Sequence, residues 1–136
     1  MNINYVENKT GKLFSFSRHD FKSNTDEDKN YIMIDGGFDY TRYTGNLKTD
    51  SIQKLIGDIR EQFIWHQNYD KNNNRLSETN KVLLKDLDFS HICEILVYFT
   101  KQLRENEESI ITPSWKAIHL IFIYELQYRY NNKCTI

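Results

Sequence analysis

IDGGFDYTRYTGNLKTDSIQKLIGDIREQF, residues 34 to 63, changes its period part-way along. It opens on Asp35-Gly36-Gly37, which permits the positive φ angles of a tight reversal, and continues as FDYTRY, residues 38–43, alternating as a period-two strand does. After Gly45 the apolar residues Ile52, Leu55, Ile56, Ile59 and Phe63 recur at helical spacing, with Asp50 or Ser51 placed to cap the first turn. Strand before this point and helix after it make the chain an α+β protein.

Toward the N-terminus, INYV, LFSFS and YIMID read as short strands, with the polar NTDEDKN as a loop between the last two. Together with FDYTRY they predict a small N-terminal antiparallel β-sheet over residues 1–45. Toward the C-terminus the first helix is placed at about residues 51–62, and FIWHQNY and KVLL are β-prone ends around a polar middle. They predict a second hairpin over residues 63–86, with a long tip around Asn72. Asp88-Phe89-Ser90 starts another helix, whose Ile92, Ile95, Leu96, Phe99 and Leu103 form one apolar stripe. RENEESII is a charged break, after which Thr112 caps and Pro113 opens a last helix running to Tyr130. Residues 90–130 are thus two long C-terminal helices. The last is apolar nearly all round, which calls for a second packing partner, and another copy of the chain predicts a homo-oligomer.

Residues 1–136 fit a single domain, in which roughly two-thirds of the unfolded surface can be buried. Aromatic residues make up 14% of the chain, so Tyr and Phe supply much of the apolar area. A net charge of −1 excludes the global basic field of a protein that coats nucleic acid, so an anionic ligand needs a local cluster of Arg and Lys. No stretch approaches the ~20 apolar residues of a membrane span, and no basic segment precedes an apolar run at the start; a cytosolic protein is the expectation. Cys93 and Cys134 lack the spacing of a disulfide framework or a zinc knuckle.

Metal and nucleophile chemistry find little footing. His19, His66, His91 and His119 fall on separate elements without ligand spacing, so no metal site is predicted. Ser17-Arg18-His19-Asp20 holds the residue types of a triad, but neighbours in a strand point to opposite faces. The glycines of IDGG match neither a phosphate loop nor a dinucleotide fingerprint. Carboxylate pairs such as Asp58 with Glu61 sit among Lys and Arg on a solvated face. What remains is a set of six arginines, several with aromatic neighbours, a combination that suits a phosphate plus a nucleobase.

Five landmarks occur in order: HDF at 19–21, DGGFDYTR at 35–42, DIREQFIW at 58–65, VLLKDLDFSHICEIL at 82–96 and ELQYR at 125–129. In these the chain resembles a widespread family of small bacteriophage proteins, and its layout is similar to the phage Thoeris anti-defence sponge proteins. Many of those relatives carry cysteine pairs around HDF, but here no Cys precedes Cys93, so a zinc role does not transfer. The resemblance implies a non-enzymatic protein of the host cytoplasm, phage- or prophage-encoded, needing no cofactor. It would bind and sequester a cyclic nucleotide immune signal, of cyclic ADP-ribose type or a cyclic oligonucleotide, without degrading it. For such a ligand the candidates are Arg42, Arg60, Arg104 and Arg129 for phosphate or ribose, Phe38, Tyr40, Tyr43 and Trp65 for stacking, and Asp39 for hydroxyl or amino groups. Arg60 and Arg129 lie in helices that an oligomer could bring together, placing the site at a subunit boundary. The alternatives are a phage inhibitor that binds a host protein directly, and a small nucleic-acid binder, which the net charge disfavours.

Overall fold

A computed structural model of the chain describes residues 1–17, 20–38, 40–69, 72, 74–105 and 112–133, the side chains of Thr112 and Pro113 excepted. Arg18, His19, Asp39, Cys134, most of the charged break and the cap proposed at Thr112 therefore lie outside the described residues.

Strand β1 (Asn2–Asn8) lies between β2 (Gly11–Phe14) and β6 (Leu47–Ser51), antiparallel to both. A second antiparallel sheet has the order β3 (Lys22–Thr25), β4 (Tyr31–Asp35), β5 (Arg42–Thr44). Helix α1 (Ile52–Ile59) follows β6 directly, and the hairpin β7 (Ile64–Tyr69) and β8 (Arg75–Leu83) ends in a single 3-10 turn, Leu84–Asp86. Two helices complete the chain, α2 (Phe89–Glu105) and α3 (Thr112–Asn131).

The pleat of β1 explains why the N-terminal strands form two sheets where the sequence suggested one. Ile3 and Tyr5 point to one face, where Phe14, opposite Tyr5, joins them in the core built with the helices. Val6 points to the other face and packs with Ile32 and Ile34 of β4, flanked by Leu13 and Leu47. Because β1 is apolar on both faces, the first sheet is covered by helices on one side and by the second sheet on the other.

Aromatic rings run through the main core. Phe16 meets Phe63 edge-on at 5.1 Å, Phe63 meets Phe122 at 5.7 Å, Phe122 meets Trp65 at 5.4 Å, and Phe99 meets Trp115 at 5.1 Å. These edge-to-face contacts join the β2–β3 connection, α1's exit, β7, α2 and α3 into one body.

Several expectations need correction. FDYTRY is not one strand: only Arg42–Thr44 pairs with β4, while Phe38 and Tyr40 precede it. The reason is the loop at Gly36 and Gly37, with φ of 130° and 102°; the Tyr40 carbonyl oxygen packs where a Gly36 Cβ would stand, 1.9 Å from it. Strands β3 (KSNT) and β6 (LKTDS) were not foreseen, since both are largely polar. Part of the proposed NTDEDKN loop thus belongs to β3, and the turn that follows is held by Asp26, whose carboxylate accepts from the backbone N–H groups of Lys9, Asp28 and Asn30. Helix α1 is shorter than expected and is capped by Ser51, whose hydroxyl accepts from the Lys54 N–H. Helix α3 packs on both α1 and α2, so much of its all-round apolar surface finds partners in its own chain.

Candidate functional site

The candidate ligand arginines are not gathered into one site. Arg42 stands opposite Asp35 in the β4–β5 ladder and donates from Nη2 to its Oδ2 at 2.6 Å. Tyr40 and Tyr43 are exposed nearby, and Phe38 is half-buried against Phe16. Arg104 is exposed in the last turn of α2, where its charge complements the helix dipole.

Arg60 and Arg129 do come together, within one chain and around a buried acid. Glu125, fully buried, accepts from Arg60 Nε at 2.7 Å and Nη2 at 3.1 Å on one side, and from Arg129 Nε at 2.7 Å on the other. Arg129 Nη2 also donates to the Leu84 carbonyl at 3.0 Å, and the Arg60 guanidinium lies 4.4 Å from the centre of the Tyr128 ring. A second copy is not needed to bring these helices together, and the guanidinium groups are committed to Glu125. Three of the sequence landmarks, DIREQFIW, LKDL and ELQYR, therefore meet in one structural lock.

The cavity that combines aromatic surface with a charge lies beside this core. It holds about 280 Å³ and is lined by Phe16, Asp20 and Lys22 from the β2–β3 region and by Phe63, Trp65 and His66 around the start of β7, among others. Gln62 fixes its floor, accepting from the Phe14 N–H and donating to the Lys12 carbonyl. Ser15, buried, donates to the Asp20 carbonyl, and Asp20 Oδ2 accepts from the Phe16 N–H at 3.0 Å, so the connection is held by its own side chains.

Lys22 is turned the unusual way round. Lysines ordinarily lay their methylenes on apolar surface and extend the ammonium into water. Here the side chain is 25% exposed, yet Nζ is shut off from solvent and makes no hydrogen bond among the described residues, so the exposed part is the stem. Nζ sits 4.6 Å from the centre of the Phe16 ring and 3.8 Å from Asp20 Oδ2. Burial pushes its ionisation below the ordinary lysine range, and Asp20 opposes that only in part.

No family model, curated protein or solved structure matches the chain.

An aromatic wall, one buried cation and a fixed carboxylate can seat a ring and pair with a single anionic group. Of the described sequence candidates only Trp65 lines this cavity, with Phe38 in ring contact with Phe16. Lys22 was missed because a lysine in a polar strand carries no sequence mark of an inward head. Two other cavities are poorer in this chemistry: one of about 330 Å³ is lined by Asp86, Asp88, His91 and Glu94, and one of about 610 Å³ by mixed polar residues of the β1 and β4 turns. Among the described residues no three His, Cys, Asp or Glu side chains are grouped to hold a metal ion.

Proposed function

We propose that the chain is a holding protein for a small nucleotide-class ligand, of the cyclic immune-signal kind that its resemblance to the phage anti-defence sponges implies. The observation that carries this reading is an aromatic-walled cavity with Lys22 in its lining, whose buried ammonium has no hydrogen-bond partner among the described residues. Swung toward a phosphate in the cavity, that ammonium would gain the missing acceptor, and a base would lie along Trp65 and Phe16. In this reading Lys22 and Trp65 replace Arg60 and Arg129 as the binding residues, since those guanidiniums cannot leave Glu125 without stranding a buried carboxylate. The ligand is kept unaltered, and the place of action is the host cytoplasm during infection.

Thermal-shift measurement against cyclic ADP-ribose isomers and cyclic di- and trinucleotides tests this. A true ligand at a hundred times its Kd stabilises by about 2.7 kcal/mol, and heating the complex should release it unchanged. Trp65→Ala and Lys22→Met should abolish the shift, whereas Arg104→Ala should keep it. An altered nucleotide in the supernatant would place the protein among enzymes, and no shift with any of these compounds would end the nucleotide reading.

A second reading, direct binding of a host protein, is favoured by Val97 and Tyr98 on α2, 71% and 53% exposed, with Tyr98 against Trp115. The same surface suits self-association. Sedimentation of the wild type against Val97→Glu would show a change of mass if α2 joins copies of the chain, and retrieval of one host protein by wild type but not by the variant would favour the inhibitor.

A further inference from the structure

Helix α2 turns a regular seam away from the core. Ser90, Glu94, Val97, Lys101 and Arg104 are all exposed and recur at intervals of four and three residues in alternation, the spacing at which one helix meets another. They lie opposite the buried stripe of Ile92, Ile95 and Phe99. Val97, 71% exposed, stands at the middle of the seam, with Tyr98 on its flank. Charge is sorted about this centre. Toward the start of the helix, Glu94 joins Asp86 and Asp88 around the cavity of about 330 Å³, which has no Lys or Arg among its described lining residues. Toward the end stand the cations Lys101 and Arg104. Glu94, Lys101 and Arg104 make no ion pair among the described residues. Glu94 and Lys101 are separated by about 10.5 Å of helical rise, so they do not neutralise each other within one chain.

We propose that α2 docks antiparallel against α2 of a second copy of the chain, about a two-fold axis beside Val97 and Tyr98. In that register Glu94 of each copy meets Lys101 of the other, twice by symmetry. Arg104 of each copy lies toward the start of the other's helix, where Asp88 is exposed. The cations are thus brought to the rim of the acidic cavity, while Val97 and Tyr98 leave water at the centre. A parallel arrangement would set Glu94 against Glu94 and Lys101 against Lys101, so the order of charges along the helix itself selects the antiparallel one. A single helix pair is a small interface, below about 1,200 Å². The dimer is therefore weak, held largely by charge and loosened by salt. This inference is independent of any ligand in the cavity beside Lys22.

Sedimentation velocity of the full chain at low salt, from micromolar to millimolar concentration, tests this. The wild type should pass from the mass of one chain to that of two, and added salt should move the transition to higher concentration. Glu94→Lys and Lys101→Glu should each weaken association about tenfold, with thermal melts unchanged because both residues are exposed. The double variant Glu94→Lys with Lys101→Glu restores both cross-copy pairs and should associate as the wild type does. Mixing the two single variants should likewise give mixed dimers, since every cross-copy contact then joins opposite charges. A one-chain mass at every concentration would overturn the inference and leave this face to a different partner. Dimers indifferent to either charge reversal, or a double variant as weak as the single ones, would overturn it as well.

Discussion

Lys22 shows how much a single side chain's direction can weigh. Turning the ammonium inward exchanges water for the Phe16 face and a distant Asp20 oxygen, which does not repay the loss of hydration. Its folded-state ionisation lies below the unfolded value, so the unfolded chain binds more protons between the two and stability rises with pH across that window. Below the window both states are protonated and the whole penalty is present. Lys22→Met should therefore stabilise the protein at neutral pH, and the gain should shrink as pH climbs toward the ordinary lysine range; urea unfolding of both proteins over that range is the measurement. Gly36 is the opposite case, a residue defined by what it lacks. Gly36→Ala would place a methyl 1.9 Å from the Tyr40 carbonyl oxygen at a φ of +130°. Gly11→Ala, at φ +144° but with nothing within 4 Å, should cost only the backbone strain of about 1–3 kcal/mol. Gly36→Ala should cost more in the same unfolding assay and should displace β5.

At the scale of elements, period-based signals were legible and pairing-based ones were not. Helices α1 and α2 follow from apolar residues three and four apart, α3 from the Thr112-Pro113 start and a run apolar nearly all round, and the β7–β8 hairpin from β-prone ends around a polar tip. Strands β3 and β6 owe their state to β4 and β1, whose free edges they fill, so KSNT and LKTDS hold no alternation to read. The site divides the same way. Arg60 and Arg129 stood out as special, but the acid four residues before Arg129 was the mark of an internal pair. The α2–α3 contact has a pH signature of its own. Thr100 donates its hydroxyl proton to the Leu96 carbonyl at 2.8 Å, so at 3.4 Å His119 Nε2 can only be the donor to Thr100 Oγ1. Burial holds the His119 imidazole below its ordinary value of 6.5, so its contribution is present above that pH and is lost as pH falls through the lowered folded value. His119→Gln should flatten the stability profile below pH 6.5 in thermal melts, while leaving it unchanged above.

For the whole molecule, the Arg60–Glu125–Arg129 lock is the point at which distant parts of the chain are tied together. It joins α1, the turn after β8 and α3, with Lys85 pairing Glu61 at 2.6 Å on the rim. A buried ionic group of this kind costs its desolvation, so it need not add stability over an apolar equivalent, yet breaking it leaves an uncompensated charge in the core. Glu125→Gln strands two guanidiniums and should lose about 3–5 kcal/mol in urea unfolding. Replacing all three by apolar residues of similar volume, Arg60→Met, Glu125→Leu and Arg129→Met together, should recover most of that loss. The two variants separate a lock that specifies how the elements sit from one that merely adds strength. Hydrogen exchange decides how far it reaches: in Glu125→Gln the amides of α1 and of residues 84–87 should lose protection together with those of α3. If only α3 loosens, Glu125 holds its own helix and the rest of the fold stands without it.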